Sequence, residues 1–175
     1  MSDAGLYAAV IEFPRMRVGI SIGKDVLTGI RYLAPETPLV APRGELAERA
    51  VRQIERYRDD PDAVFDLPLQ VKGTDFQRDV WRQICDIPRG RTRTYGELAR
   101  RIGGEARAVG QACGDNPFPI VVPCHRVVAA DGLGGFSHHV NGYLLEAKKW
   151  LLKHEGNIQM YETGQLWPEA SPAPE

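Results

Sequence analysis

Cysteine is scarce in this sequence, with three among 175 residues: Cys85, Cys113 and Cys124. An odd number without the paired spacing of zinc ligands argues against both a disulfide framework and a metal site. Reduced thiols of this kind are typical of cytoplasmic proteins, and we expect that location. We interpret Cys85 and Cys113 as buried residues of helix faces.

Long apolar runs are also missing, because no stretch approaches the roughly 18 residues that cross a membrane. The first five residues lack a basic segment leading into an apolar stretch, so neither a signal peptide nor a membrane contact is predicted. Hydrophobic residues at 43% and charged residues at 26% are ordinary for a globular protein. The length allows one or two small domains with a buried core.

Net charge is nearly absent, at −1, but it is unevenly distributed. Residues 71–156 carry 13 basic and 9 acidic side chains, a net charge of +4, whereas residues 1–70 and the tail 157–175 are both negative. The excess comes largely from six arginines: Arg89, Arg91, Arg93, Arg100, Arg101 and Arg107. A polyanion-binding surface and a solvated basic face both remain open on charge alone.

The first part of the chain, 1–70, predicts a small antiparallel sheet with a helix against it. Alternating apolar residues indicate strands over 6–13, 17–22 and 26–33, and an apolar stripe indicates a helix over 44–57. No polar residues cluster there in the sequence. We interpret this part as support.

Two capping boxes open helices in the second part, 73–156: Thr74 with Gln77, and Thr94 with Glu97. The helix after Thr94 and a short helix over 106–113 are joined by a glycine-containing turn, which predicts a helix-turn-helix. The second of these helices consists mostly of small residues, which allow close approach either to another helix or to a nucleic-acid groove. The tail 157–175 is predicted to be loose.

A thiol and an imidazole are adjacent at Cys124 and His125, inside the apolar segment 120–128. A thiolate activated by a base is a nucleophile, whereas a buried thiol is usually inert, and local chemistry leaves both open. A last helix is predicted over 143–154. Glu155 follows at its end, where the helix dipole disfavours a carboxylate, so that either a specific partner or simple exposure accounts for it.

Six motifs in order resemble the O6-alkylguanine-DNA alkyltransferases, also called methylated-DNA–protein-cysteine methyltransferases. The resemblance covers about residues 73–156 and includes Gly73–Gln77, Ile87–Gly90, Thr94–Gly96, Ala106–Gly110, Asn116–Pro117 and Pro123–Val127. It implies an α+β fold, with a ribonuclease-H-like N-terminal domain and a mainly helical, winged-helix-like domain that contains the helix-turn-helix. The N-terminal part matches only in outline.

The resemblance also implies an activity, namely DNA repair by direct transfer of the alkyl group from O6 of guanine to Cys124. The protein is consumed by the reaction, and no cofactor is needed. His125 is then the residue that takes the thiol proton through a water, and Glu155 orients that histidine. The implied partner is double-stranded DNA containing alkylguanine, bound by a monomer, with O4-alkylthymine left open as a second substrate. In a prokaryote the protein would then be associated with the nucleoid.

Further roles follow from the same resemblance. Arg107 occupies the place of the flipped nucleotide in the base stack, and Tyr95 assists flipping and the departure of guanine. Asn116 joins the helix-turn-helix to the cysteine segment. Three more residues are expected at the base or near the sulfur: Val127 through its backbone, Ser137, and Lys148. The loop at His138 and His139 departs from the family pattern, and a structural zinc in the cysteine-free N-terminal part is not expected.

Three rival functions are weighed against this one. An alkyltransferase-like binding protein would lack the cysteine of the motif, and Cys124 is present. A cysteine hydrolase would need productive geometry between sequence neighbours and would leave the helix-turn-helix without a purpose. A transcriptional regulator would need an additional domain, for which this chain is too short.

Overall fold

A computed structural model describes residues 5–130, 132–134 and 142–156. The chain divides into two compact units. The first contains residues 1–71 and 117–121, and the second contains residues 72–116 and 122–175. The sequence analysis places 117–121 in the second part, whereas their contacts group them with the first.

A three-stranded antiparallel sheet forms the centre of the first unit. Its strands are β1 (Ala9–Phe13), β2 (Met16–Ile22) and β3 (Leu27–Leu33), in the order β1-β2-β3. The register pairs apolar residues such as Ile20 with Ile30, so one face is continuous and buried. This confirms the small antiparallel sheet that alternation predicts.

Helix α1 (Glu45–Asp59) packs its apolar stripe in the same unit. The stripe is buried because its residues recur every three or four positions along the helix: Ala47, Ala50, Val51, Ile54 and Tyr57. After α1, the chain adds an isolated bridge between Leu27 and Leu69.

Residues 117–121 lie in the first unit as a short excursion of the chain. The Ile30 N–H donates to the Pro117 carbonyl at 2.9 Å, and Phe118 and Ile120 are buried. Ile120 has φ of 77°, a left-handed backbone conformation that is an outlier for a β-branched residue. Such strain persists only where the surrounding structure determines it, so the path of this segment is tightly specified.

The second unit is mainly helical. Its helices are α2 (Asp75–Cys85), α3 (Tyr95–Ile102), α4 (Ala106–Gly114) and α5 (Tyr143–His154). Strands β4 (Arg93–Thr94) and β5 (Val127–Val128) form a short parallel pair, and a 3₁₀ turn covers Cys124–Arg126. The described residues therefore hold a mixed α/β fold with one small antiparallel sheet and five α-helices.

Both predicted capping boxes are present. The Thr74 side chain accepts from the Gln77 N–H at 3.1 Å, and the Thr94 side chain accepts from the Glu97 N–H at 3.0 Å. Gly103 ends α3 in the left-handed conformation, with φ of 77°, and α4 follows directly. The two short helices and the tight turn that the sequence predicts are therefore observed.

The cysteine burial that we expected is wrong for Cys85, which is exposed, and only partly right for Cys113, which is half-buried. The buried stripe of α2 runs through Val80, Trp81 and Ile84. Cys85 lies in the last turn of α2, outside this buried stripe. Across the described ranges, no helix is both long and apolar enough to cross a membrane.

Candidate active site

Cys124 is the first residue of the 3₁₀ turn, directly after Pro123. Its backbone N–H donates to the Val122 carbonyl at 2.8 Å, and the residue is buried. Burial raises the pKa of the thiol, while a hydrogen bond with Asn116 and the charge of Lys148 act against that rise. The sulfur is thus shielded from water but faces two groups that favour the thiolate.

Asn116 joins the end of α4 to this cysteine. Its Nδ2 donates to the Val122 carbonyl at 2.8 Å, two residues before Cys124. Its side chain also forms the hydrogen bond with the Cys124 thiol. The predicted link between the helix pair and the cysteine segment thus corresponds to two specific contacts.

His125 and Glu155 lie together in the interior. Nε2 of the imidazole is 2.9 Å from Oε1 of the carboxylate, and both side chains are fully buried. Because a carboxylate only accepts, Nε2 carries the hydrogen and Nδ1 keeps its lone pair. Burial lowers the pKa of His125 although Glu155 opposes this, which keeps the imidazole neutral and able to accept a proton. Within the residues that the structure describes, Nδ1 has no hydrogen-bond partner, and Nε2 has the close contact with the carboxylate but no hydrogen bond of full geometry.

Arg126 holds the other side of the same carboxylate. Its Nε and Nη2 donate to Oε1 and Oε2 of Glu155 at 2.9 and 2.8 Å, and its Nη1 donates to the Ile87 carbonyl at 2.6 Å. Burial alone would raise the pKa of Glu155, but His125 and Arg126 together hold it far below its usual range. No role is predicted for Arg126 from the sequence, although it directly follows His125.

Lys148 is fully buried on α5. Its Nζ donates to the carbonyls of Val127 and Leu133 at 2.8 and 2.7 Å, so the ammonium joins β5 to the loop that follows it. Burial lowers the pKa of Lys148 from 10.5 to about 8, with the Cys124 and Cys113 thiols acting in the opposite direction. We expected Lys148 near the sulfur of Cys124, and the two groups interact electrostatically.

Tyr95, the first residue of α3, lies beside Lys148. The Nζ atom is 5.9 Å from the centre of the tyrosine ring. Burial raises the pKa of the phenol, and Cys113 and Cys124 raise it further, so the hydroxyl stays protonated. Gly134, with φ of 74°, passes so close that an added Cβ would lie 3.0 Å from Tyr95 Cε2. Only glycine suits both the backbone and the space.

Cys113 belongs to the same group, which the sequence analysis missed. Burial raises its pKa, followed by the effect of Cys124, while Lys148 lowers it. Its carbonyl accepts from the Asn116 N–H at 3.3 Å. Periodicity cannot place Cys113 in this group, because Cys124 and Lys148, which act on it, lie elsewhere in the chain.

Arg107 is exposed on α4, away from these buried groups. Its neighbours Ala106 and Ala108 are exposed too, whereas Val109 and Ala112 are buried. The exposed face of α4 therefore carries the small side chains of Ala106 and Ala108 beside Arg107, its only charged residue, with Gln111 exposed one turn later. Small exposed side chains of this kind allow a helix backbone to approach another surface closely.

The remaining predicted residues divide into two cases. Val127 is buried in β5, and its carbonyl is held by Lys148. Ser137 and the histidine pair at 138 and 139 lie outside the described residues. Among those that are described, no group of three or more His, Cys, Asp or Glu side chains is arranged to hold a metal ion.

Comparisons with known proteins agree on one family. The family model for the DNA-binding domain of 6-O-methylguanine DNA methyltransferase matches residues 75–157. A methylated-DNA–protein-cysteine methyltransferase of Methanosarcina barkeri is 46% identical over 161 residues, covering 87% of this chain and 98% of that protein. The protein of the same name from Mycobacterium tuberculosis is 44% identical over 134 residues, covering 71% and 81%.

Solved structures give the same result. The crystal structure of Mycobacterium tuberculosis OGT in complex with DNA is 38% identical, with a TM-score of 0.67, and the match covers 83% of this chain and 90% of that one. An O6-methylguanine DNA methyltransferase from Methanococcus jannaschii is 26% identical, with a TM-score of 0.62. The match covers 83% of this chain and 92% of that structure.

Proposed function

The chain belongs to the methylated-DNA–protein-cysteine methyltransferase family, and on that premise we propose that Cys124 accepts alkyl groups from O6 of guanine in double-stranded DNA. The observation that carries this proposal is that the buried Cys124 directly precedes a fully buried histidine, His125, whose Nε2 lies 2.9 Å from Glu155 Oε1. Burial raises the pKa of the thiol, and Asn116 and Lys148 oppose that rise. A structural cysteine would not need such neighbours. The activity is DNA repair by alkyl transfer, which the relatives' names support.

The chemistry is one displacement at saturated carbon. The thiolate sulfur forms a bond to the alkyl carbon, the carbon–O6 bond breaks, and its electron pair stays on guanine. Guanine leaves as a neutral base after protonation. His125 accepts the thiol proton at Nδ1, directly or through a water, while Glu155 and Arg126 hold the imidazole in the required tautomer. Because the product is a stable thioether, each chain reacts once.

DNA binding is assigned to the helix pair α3 and α4, which we infer to be a helix-turn-helix in a winged-helix-like unit. The alkylated base must leave the stack to reach a buried sulfur, at a cost of a few kcal/mol. Arg107 is the long side chain on the face of α4 and is proposed to fill the vacated place. Tyr95 is proposed to assist the departure of guanine with its protonated hydroxyl. Val127, Ser137 and Lys148 are proposed to contact or border the base.

The first unit is proposed to have a ribonuclease-H-like fold. Support for this comes from its antiparallel sheet and single helix and from the coverage of full-length relatives. A cysteine hydrolase remains the alternative from another class. It would release product repeatedly, whereas the alkyltransferase stops after one event.

Mass spectrometry after incubation with an oligonucleotide containing O6-methylguanine tests the proposal. We expect one added methyl group on the peptide that contains Cys124, and no addition in Cys124→Ala. Cys85→Ser is the matched control, because that thiol is exposed and is not among the groups that act on the Cys124 thiol, and it should react like the parent. Sustained turnover, or methylation retained in Cys124→Ala, would overturn the assignment.

A further inference from the structure

Helix α1 carries three arginines on one stripe, Arg49, Arg52 and Arg56, spaced three and four residues apart. Together with Gln53, Val64 and Asp66 they line a cleft of about 440 Å³ in the first unit. We call this the arginine cleft. From the sequence we interpret this unit as support, because no polar residues cluster there along the chain. The turn of the helix and the return of the chain at Asp66 bring them together.

One wall of the cleft is fixed by reciprocal hydrogen bonds. The buried Gln53 donates from Nε2 to the Asp66 carboxylate, and its Oε1 accepts from the Asp66 N–H at 3.0 Å. Arg49 donates to the Asp66 carbonyl, and its Nη2 lies 3.1 Å from Asp66 Oδ1. The hydrogen bond from Gln53, followed by that from Arg49, lowers the pKa of Asp66, so its charge is present and neutralises Arg49.

The other two arginines are not neutralised in this way. Arg52 and Arg56 are exposed, and neither guanidinium forms a hydrogen bond or an ion pair with any described residue, although the charge of Arg56 contributes to the lowered pKa of Asp66. The lining therefore holds three guanidinium groups against one carboxylate, although residues 1–70 are net negative. Glu55 on the same helix is paired with Arg58 at 3.1 Å. The positive charge is thus local and faces an open space.

The ligand that suits this space is a phosphate group. A guanidinium presents its N–H donors in a planar fork that matches phosphate oxygens, and it keeps its charge at any physiological pH. Arg52 and Arg56 are one helical turn apart, about 6 Å along the axis, so they can reach two groups of an extended polyanion. Val64, exposed at the edge, adds an apolar wall.

We propose that the arginine cleft is a second nucleic-acid contact, in which Arg52 and Arg56 bind phosphodiester groups of DNA. The choice of DNA as the source of phosphate rests on the proposed function, whereas the anion site rests on the cleft alone. Contacts of this kind add affinity without reading sequence. They suit a protein that must examine much undamaged DNA.

The test measures binding of a lesion-free duplex by the parent, by Arg52→Gln/Arg56→Gln and by Arg31→Gln. Arg31 is the matched control because it is an exposed arginine on β3 of the same unit, outside the cleft. Loss of two phosphate contacts should reduce the slope of log K against log salt by about two. The advantage of the parent over the double variant should therefore shrink about tenfold between about 50 and about 200 mM salt. Arg31→Gln should behave like the parent.

Two further measurements keep the result interpretable. Thermal melting and reaction with free O6-benzylguanine, which needs no DNA contact, should be the same in all three proteins. Failure of the parent to react with that base would count against the proposed function while leaving the slopes meaningful.

Titration with inorganic phosphate separates the two sources of the anion. Loss of phosphate binding in the double variant, with duplex affinity and slope unchanged, would overturn the assignment to DNA. Equal duplex slopes in all three proteins, without measurable phosphate binding to any of them, would overturn the site itself.

Discussion

At the scale of single residues, the carboxylate of Glu155 is shared between two side chains with different tasks. His125 faces one oxygen, and Arg126 donates to both. A buried charge of this kind is tolerated only with full hydrogen bonding, and Arg126 supplies what the imidazole alone does not. Cys124 and His125 were predicted from a local motif and Glu155 from the family resemblance, and their roles stay predictions. The role of Arg126 depends on the position of Ile87 and Glu155 in space, which the sequence does not show.

Arg126→Lys should therefore slow alkyl transfer without removing binding of the alkylated duplex. A lysine keeps the charge but not the two parallel hydrogen bonds, so the imidazole is held less firmly. The loss should be smaller than in His125→Ala, for which general-base catalysis predicts a reduction on the order of 10²–10⁴-fold. Single-turnover rates with free O6-benzylguanine from pH 6 to 9 measure both. A rate for His125→Ala equal to the parent at neutral pH would mean that Lys148 activates the thiol instead.

Lys148 gives a prediction for stability against pH. Burial lowers its pKa from 10.5 to about 8, so between these values the unfolded chain holds a proton that the folded chain has released. Stability therefore rises with pH in this window, and the contribution is absent below about pH 8. The free energy of unfolding of the parent, relative to Lys148→Met, should increase by about 3 kcal/mol across the window. Denaturant titrations of the two proteins measure this, and a constant difference would contradict the prediction.

At the scale of elements, the two capping boxes show where local sequence suffices. Four residues define each box, and both helices begin where those residues predict. The β4–β5 pair and the 3₁₀ turn were not predicted. Arg93 pairs with Val127 across more than thirty residues, and two-residue strands carry no periodicity. The elements that hold Cys124 in place are thus the ones that depend on distant contacts.

Thr94→Ala should reduce both stability and transfer, because α3 begins with Tyr95 at the site. Loss of an N-cap typically costs about 1 kcal/mol. Thr74→Ala is the matched control, since it removes the same box from α2, which begins outside the site. Both variants should melt at lower temperature, but only Thr94→Ala should react more slowly with O6-benzylguanine. Equal rates in the two variants would show that the start of α3 does not position Tyr95.

The α4 face gives a prediction that separates base flipping from a phosphate contact. Arg107→Ala should repair duplex DNA much more slowly and yet react with free O6-benzylguanine at nearly the parent rate, because a free base needs no extrusion. Arg107→Lys should restore only part of the duplex rate, since an ammonium lacks the planar group that stacks. Rates on both substrates at two salt concentrations decide the matter. Full rescue by lysine would falsify the flipping role.

At the scale of the whole molecule, the sequence and the structure differ most in the first unit. Its strands and helix follow from periodicity, but its arginine cleft does not, because residues at 49, 52, 56 and 66 meet only after folding. The charge asymmetry of the sequence indicated residues 71–156 as the part where a polyanion would bind, with a solvated basic face left open. The net charge of residues 1–70 is negative, and this sum conceals the local excess of arginines that lines the cleft. Composition alone therefore does not predict the cleft.

The excursion of residues 117–121 has a consequence for dissecting the protein. A gene fragment beginning at Lys72 would encode every proposed catalytic group, but it would also carry Phe118 and Ile120 without the strands around which their segment is arranged. Those apolar side chains, six and four residues before Cys124, would become exposed to solvent. Truncation, domain exchange or circular permutation at Lys72 would therefore perturb the segment that leads to Cys124. Because residues 117–121 belong to the first unit, no single cut in the chain separates the two units.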